Sequence, residues 1–467
     1  MAFLQALGDF LWGGPLLAAF LAVGLCYSLG SGFFQLFGLP VWWKTTVGSL
    51  FRRNGKGRGG RGLSQLQALS TALAATIGTG SIAGVATAIV YGGPGAVFWM
   101  WISALLGMMT GCAEKILAVR HRVMGEDGQW RGGPMEYMSR GLRLPWLAKL
   151  FALFCVAETL AGGNLAQANS IAAVLDTAAG ADRRVVGVVL AVVTAVVLAG
   201  GIRRIGRLCE LLVPAMALLF VGGGLAVIAV NHQALPRAME QIFTYALAPR
   251  AVAGGYAMGA ALRYGVARGV FTNEAGLGMS AIAHACADVD HPARQGMWGI
   301  FEVFFATMVI CTVTALVILT SGVYDPVQAL ALLEAGALPE EMLGASLTAA
   351  GFSALFGEAG EWIVAVCLTL FAFTSLLGAG YYGRRGLETL TKARWALGLF
   401  HLVFPACIIL GAVGELAAVW GLVDAFNGLL AIPNLAALLL LAPEALHLLR
   451  GWAGAREKKT ENWEEFT

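Results

Sequence analysis

Apolar residues gather along the chain in eleven runs, each close to the ~20 residues an α-helix needs to cross a bilayer. They lie roughly at 10–29, 68–90, 95–119, 148–176, 185–200, 206–230, 253–286, 297–321, 357–383, 395–413 and 418–441. The pattern predicts an all-α polytopic membrane protein. Two runs are interrupted. In the second, LAATIGTGSIAGVA from Leu73 to Ala86, Gly78, Gly80 and Gly84 fall among Thr76, Thr79 and Ser81. So many glycines at mid-span make a poor continuous helix, and in hydrocarbon a freed backbone group is costly unless protein or a watery cavity satisfies it. Two readings stay open: a broken helix that offers N–H and C=O groups to a solute, or an unbroken one whose Gly80 and Gly84 form a small-xxx-small packing face.

The seventh run holds the second interruption, GVARGVFTNEAGLGMSAIAHA from Gly265 to Ala285. Arg268, Thr272, Asn273 and Glu274 crowd one span with Gly269, Gly276 and Gly278, and embedded charges must face protein or water. Arg268 and Glu274 either hold a kink, paired with each other or with neighbouring helices, or belong to a solute path. Runs two and seven are five apart, so the chain crosses the membrane in opposite directions in them. Interrupted spans at matching places in two inverted halves point to a transporter's central site. The organisation expected is an extra helix and basic loop at 1–65, a first five-helix repeat at 66–230, a second, inverted repeat at 250–449 and a tail at 450–467. Topology and glycine placement carry the repeat, since no identity between the halves is visible.

Composition agrees. With 58% hydrophobic and 13% charged residues, the apolar surface exceeds what a water-soluble core of ordinary proportions hides. Gly at 62 of 467 fits close helix packing and interrupted spans. The eight cysteines include no CxxC pair and sit mostly in apolar runs, as small core residues rather than a disulfide framework or metal cluster. No basic residue precedes the first apolar stretch and no clear cleavage site follows it, which favours a retained span over a signal peptide.

The net charge of +3 says little, but its placement says more. Alternate loops and the tail hold 25 of the 31 Lys and Arg, including Lys44 to Arg61, seven from Lys115 to Lys149, Arg203 to Arg207 and Arg384 to Arg394. The opposite loops hold four, Arg183, Arg184, Arg237 and Arg250. The positive-inside bias puts the N-terminus outside and the C-terminus in the cytoplasm of a plasma (inner) membrane. The loop over 322–356 has acidic residues and no basic ones, and its apolar patches suggest short helices over the outer face, as a lid. RRNGKGRGGR at 52–61 is an orientation signal before it is a lipid contact.

IGTGSIAGVATAI with YGGPGAVFWMWISALLGM, then GGPMEYM, GNLAQANS, GVARGVFTNEAGLG with IAHA and HPARQG, TALVILTSG, FAFTSLLG with YYG, and NGLLAIPNLAALL resemble the alanine/glycine:cation symporter family. The motifs run in the family's order from about residue 66 to 441. The resemblance implies sodium-coupled import of a small neutral amino acid such as alanine or glycine, alternating access, and the five-plus-five inverted-repeat (LeuT-like) fold of the amino acid–polyamine–organocation superfamily. It implies no cofactor beyond Na+ as coupling ion.

At the first break, the N–H groups of Thr79 and Gly80 by Gly78, near a half-helix N-terminus, suit a substrate carboxylate. The ammonium then needs acceptors, from carbonyls over Phe271, Thr272 and Asn273 and from Gln167, with Phe271 as an apolar wall. Gln167, Asn164 and Asn169 have a plainer role open to them, as bridges between helices. The resemblance sets Thr374 and Ser375 opposite carbonyls near Ala74 and Ile77 as a sodium site, although adjacent hydroxyls commonly bond only their own helix. Asp424, Asn427 and Asn434 are read as helix-fixing.

Several residues depart from the family pattern. Ser81 stands for Asn, Ala379 and Gly380 for Trp-Ser, Met279, Ser280 and Ala281 for Ser-Ala-Pro, and Arg384 for an acidic residue. If the missing Trp caps the substrate, Ala379 opens room for a larger neutral amino acid. A proton-coupled carrier using Glu274, Glu114 or Glu158 and a non-transporting sensor are the rivals. Among enzyme signals, His284 and His291 lack a carboxylate at ligand spacing, and neither a GxSxG elbow nor a GxxxxGK[ST] loop is present. Nucleic acid is excluded as a partner, and the oligomeric state is open.

Overall fold

The computed structural model describes residues 8, 10–50, 62–126, 128–247, 258–339, 342–414 and 416–464, with the side chains of 416–418 and 455–464 outside the description. The basic loop 52–61, Arg250, the acidic pair at 340–341 and the charges of the tail beyond Arg450 therefore lie outside the described residues.

The chain is almost wholly helical. α1 spans Pro15–Gly30, and α2, Gln65–Thr76, starts on a capping box in which Ser64 and Gln67 satisfy each other's backbone N–H. α3 is Ala83–Gly92, α4 Ala96–Arg120, α5 Pro145–Ala179, α6 Arg183–Leu198 and α7 Gly201–Val230. After α8, Leu235–Leu247, come α9, Met258–Asn273, α10, Met279–Ala285, and α11, Pro292–Thr320. α12 is Pro326–Glu334, α13 Ala345–Phe356, α14 Glu358–Leu390, α15 Arg394–Val413, α16 Leu416–Leu440 and α17 Ala442–Glu464. One two-stranded hairpin, Val123–Met124 with Trp130–Arg131, joins α4 to α5.

Among the described residues seven helices are long and apolar enough to cross a membrane. Their outward faces fit that solvent. Val185, Val188, Val189, Val192, Val193 and Val196 of α6 are all exposed, as are Leu399, Leu402 and Leu410 of α15, with no polar covering to suggest water.

Both interruptions are real breaks. α2 stops at Thr76, a 3-10 turn covers Thr79–Ser81, and α3 begins at Ala83. This decides against an unbroken helix with a glycine packing face. A Cβ on Gly84 would meet nothing within 4 Å, and one on Gly80 would strike the Phe271 ring at 2.8 Å. α9 ends at Asn273, and Glu274, Gly276 and Gly278 then take φ of 53°, 97° and 82° before α10 starts. The left-handed region suits the two glycines and strains Glu274.

The halves pack crosswise, α2 on α10 and α3 on α9. The chain entering α2 also bonds the chain leaving α10, Leu63 N–H to Cys286 O at 2.9 Å and Asp288 N–H to Leu63 O at 2.8 Å. The two broken helices are therefore antiparallel. Arg122 closes the end of α10. It donates to the carbonyls of Ala285, Ala287 and Val289, and its guanidinium stacks 4.2 Å from the Trp130 ring centre.

One expectation changes. Lys115, counted as a loop charge, lies inside α4 with no exposed surface, because three polar groups are buried beside it. α8 is a helix that no apolar run announced, being amphipathic and too polar on one face for a span. The loop over 322–356 does carry two short helices, and they dock on α3: Tyr324 Oη donates to Ile89 O at 3.0 Å and Thr348 Oγ1 to Ile82 O at 3.2 Å.

Candidate functional site

At the first break, Thr79 N–H donates to Gln167 Oε1 at 3.3 Å, while Gln167 Nε2 donates to Gly162 O at 3.1 Å. Gln167 thus ties the break to α5 where α5 makes a π turn over Ala161–Leu165. The extra residue of that turn leaves a carbonyl for a side chain to bond, as π turns at functional sites do. Ser375 Oγ donates to Ala74 O at 2.8 Å, with Ala75 O at 3.2 Å, and Thr374 Oγ1 lies 3.4 Å from Ala74 O. Both hydroxyls also bond Phe371 O of their own helix. The oxygens expected of the hydroxyl pair therefore meet at Ala74, and Ile77 stands buried just beyond.

The second break is anchored by groups the sequence did not single out together. Gly276 N–H donates to Glu114 Oε1 at 3.0 Å, and Asn434 Nδ2 donates to that oxygen and to Gly276 O, both at 2.8 Å. Tyr137 Oη bonds Asn434 Oδ1. From Glu114 the network continues to Lys115, whose Nζ is 3.5 Å from Glu114 Oε2, 3.1 Å from Glu302 Oε2 and 2.8 Å from Ser280 Oγ. Glu302 then accepts from Thr76 Oγ1 at 2.9 Å, and His284 Nε2 lies 3.2 Å from its other oxygen. A continuous chain of buried polar contacts joins the last turn of α2 to the loop before α10.

Between the breaks lies a cavity of about 30 Å³ for the centre of a water-sized sphere, roughly two waters' worth. Gly78, Gly80, Gln167, Phe271, Ser375 and Ala379 reach its wall. Thr79, Thr272 and Asn273 stand behind that wall. Thr272 Oγ1 bonds Arg268 O at 2.8 Å, and Asn273 turns to Thr307 Oγ1 at 3.2 Å and Ala275 N–H at 3.0 Å. Glu158, Glu274, Tyr382 and Asn427 also line the cavity.

Of the two pairings open to Arg268 in the sequence, with Glu274 or with a neighbouring helix, the second forms. Arg268 makes a two-pronged contact with Asp424, 3.1 Å at each oxygen, and sits 5.1 Å from the Trp420 ring centre, because its side chain leaves α9 toward α16 while Glu274 lies beyond the helix end. Asp424 is thus Arg268's partner, and Asn434 fixes the second break. Asn427, read as helix-fixing, instead faces the cavity, its side-chain N and O without a partner among the described residues. Asn164 and Asn169 bridge helices, donating to Phe404 O at 2.8 Å and to Gly411 O at 3.0 Å. His284, which has no carboxylate at ligand spacing in the sequence, touches Glu302 of α11 in the fold. Among the described residues no group of three or more His, Cys, Asp or Glu could hold a metal ion.

Comparisons with known proteins agree with this architecture. The profile of the sodium:alanine symporter family matches residues 1–466. The sodium/alanine symporter AgcS of Methanococcus maripaludis is 38% identical over 466 residues, 99% of each chain. A probable sodium/glutamine symporter of Bacillus subtilis is 35% identical over 97% of this chain and 90% of its own. A putative sodium/proton-dependent alanine carrier of the same organism is 35% identical over 98% and 93%. In three dimensions the chain is similar to a manganese transporter of Eremococcus coleocola, with a TM-score of 0.50 and 18% identity over 82% of this chain and 78% of that one, a likeness of fold. The apolar helices, the breaks and these likenesses converge: this chain is an integral membrane protein and belongs to the sodium:alanine symporter family.

Proposed function

We propose that the protein is a sodium-coupled symporter of small neutral amino acids, built of eleven spans as one extra helix and two inverted five-helix repeats, and working by alternating access. The observation that carries the reading is the pair of antiparallel broken helices whose breaks face one cavity lined by both polar and apolar groups. The first break supplies backbone N–H groups near Gly78 and Gly80 for the substrate carboxylate. Gln167 and the end of α9 supply acceptors for the ammonium. Sodium, a hard cation that takes oxygen ligands, is assigned to the hydroxyls of Thr374 and Ser375 with the carbonyls of Ala74 and Ile77, and the convergence of both hydroxyls on Ala74 O supports that assignment. Ala379 stands at the wall, where a small side chain suits a small substrate.

The test is uptake of labelled alanine into proteoliposomes. An inward sodium gradient is expected to drive accumulation, and replacing sodium by choline to abolish it. A proton-coupled cycle is the second reading, favoured by the two carboxyls, Glu158 and Glu274, that face the cavity with no Lys, Arg or His among the residues lining it. Uptake indifferent to sodium and lost when the pH gradient collapses would select it.

A further inference from the structure

One side of the central cavity carries polar groups that neither the first break nor the hydroxyl pair uses. Glu158 of α5 accepts one hydrogen bond, from Gly162 N–H at 3.2 Å, and has no ion pair among the described residues. Asn427 of α16 and Tyr382 of α14 are each 1% exposed, and the carboxamide of the first and the hydroxyl of the second have no protein partner among the described residues. All three line the cavity. The backbone beside them is closely packed, for a Cβ on Gly162 would overlap Glu158 Oε1 and one on Gly163 would overlap the Cβ of Ala379. The carboxyl is thus held next to the small-residue wall at Ala379.

A buried polar group left unpaired is destabilising, and a ligand that supplies the partner recovers that loss. Alanine's methyl satisfies none of these groups. A carboxyl, a phenol and a carboxamide can each accept and, with the carboxyl protonated, each donate, so together they match a side chain that ends in a hydroxyl or a carboxamide. Position agrees. A substrate whose carboxylate and ammonium meet the first break and Gln167 has Gly162, Gly163 and Glu158 next along α5, since Gln167 itself bonds Gly162 O.

We propose that the cavity selects small amino acids whose side chains end in a hydrogen-bonding group, threonine over valine and asparagine over leucine, with Glu158 as the specificity-determining residue. The proposal rests on the amino acid transport reading above. Each pair is nearly isosteric, so volume alone predicts parity. A site built to hydrogen-bond its ligand rejects the apolar isostere.

The experiment uses the purified full-length carrier in sodium. Threonine, valine, asparagine and leucine are compared as competitors of labelled alanine uptake and by the rise in melting temperature each causes, a readout of binding that needs no flux. Threonine and asparagine are expected to exceed their apolar partners by about tenfold or more in apparent affinity. In Glu158→Leu that ratio should fall below about threefold, while Glu158→Gln, which keeps a hydrogen-bonding end, should retain it. Glu158→Ala reads the same ratio if the leucine variant does not fold. Valine equal to threonine on the unaltered carrier, or a preference intact in the leucine or alanine variant, overturns the proposal. Absence of sodium-driven alanine uptake would sink the symport reading instead, and the melting-temperature series tells the two failures apart.

Discussion

Single residues set how closely the two halves of the site approach. A Cβ on Gly78 would stand 2.7 Å from Ser375 Oγ and 3.1 Å from Gln167 Oε1, so Gly78→Ala must push apart the hydroxyl assigned to sodium and the carboxamide that ties the break. Sodium-driven uptake is expected to fall at least about tenfold, roughly 1.4 kcal/mol of lost interaction. Ser375→Ala removes one oxygen without moving the backbone and should instead raise the sodium concentration for half-maximal uptake by about tenfold, with the maximal rate less affected. Initial rates across a sodium series distinguish the two, and a Ser375→Ala curve that superimposes on the unaltered one removes that hydroxyl from the ion's ligands. Glycine clusters in an apolar run advertise their purpose, so Gly78 and Gly80 were legible in the sequence. Lys115 was not, because a lysine at the end of an apolar run looks like a loop charge, and only Glu302, 187 positions on, shows why it is buried. For Arg268 the sequence leaves two pairings open, with Glu274 or with a neighbouring helix, and only the fold selects Asp424 on α16.

At the scale of elements, the two broken helices are held by different means. Backbone bonds between Leu63, Cys286 and Asp288 fix one end of the pair, and the network from Thr76 through Glu302, Lys115 and Glu114 to Gly276 fixes the middle. A fully buried lysine between two carboxylates becomes a liability when it is removed, since breaking one partner of a buried ion pair typically costs about 3–5 kcal/mol. Lys115→Met should therefore lower the melting temperature of the detergent-purified carrier markedly. Lys115→Met combined with Glu302→Gln should lower it by less than the two single losses together, because the double variant leaves fewer charges stranded. Strict additivity would mean that the groups do not act as one network. The breaks themselves were readable from glycine and polar residues in apolar runs. The π turns at Ala161–Leu165 and Phe304–Cys311 were not, because one added residue leaves the apolar periodicity of a membrane helix almost unchanged. The first of them lies where Gln167 bonds both Gly162 O and Thr79 N–H.

Across the whole molecule the distribution of charge argues orientation. Burial of Lys115 and Arg385 takes two residues from the basic side of the count and leaves a large excess over the four on the other side, so the positive-inside argument survives its buried members. The structure adds a marker for each face. α12 and α13 sit over α3 on the side assigned to the exterior, whereas the hairpin at Val123–Arg131, with Arg122 capping α10, sits on the side assigned to the cytoplasm. A cysteine placed at Ala335, the exposed residue after α12, should react with a membrane-impermeant maleimide added to intact cells. One at Glu126, in the exposed hairpin turn, should react only after the membrane is opened. Both belong in a background with Cys26 and Cys407 replaced, since these two are the cysteines not fully buried. Labelling of the hairpin from outside would invert the whole assignment, and with it the direction in which the sodium gradient drives the cavity to fill. The antiparallel pair would stand unchanged, because its geometry depends on α2, α3, α9 and α10 alone and not on which compartment either end faces.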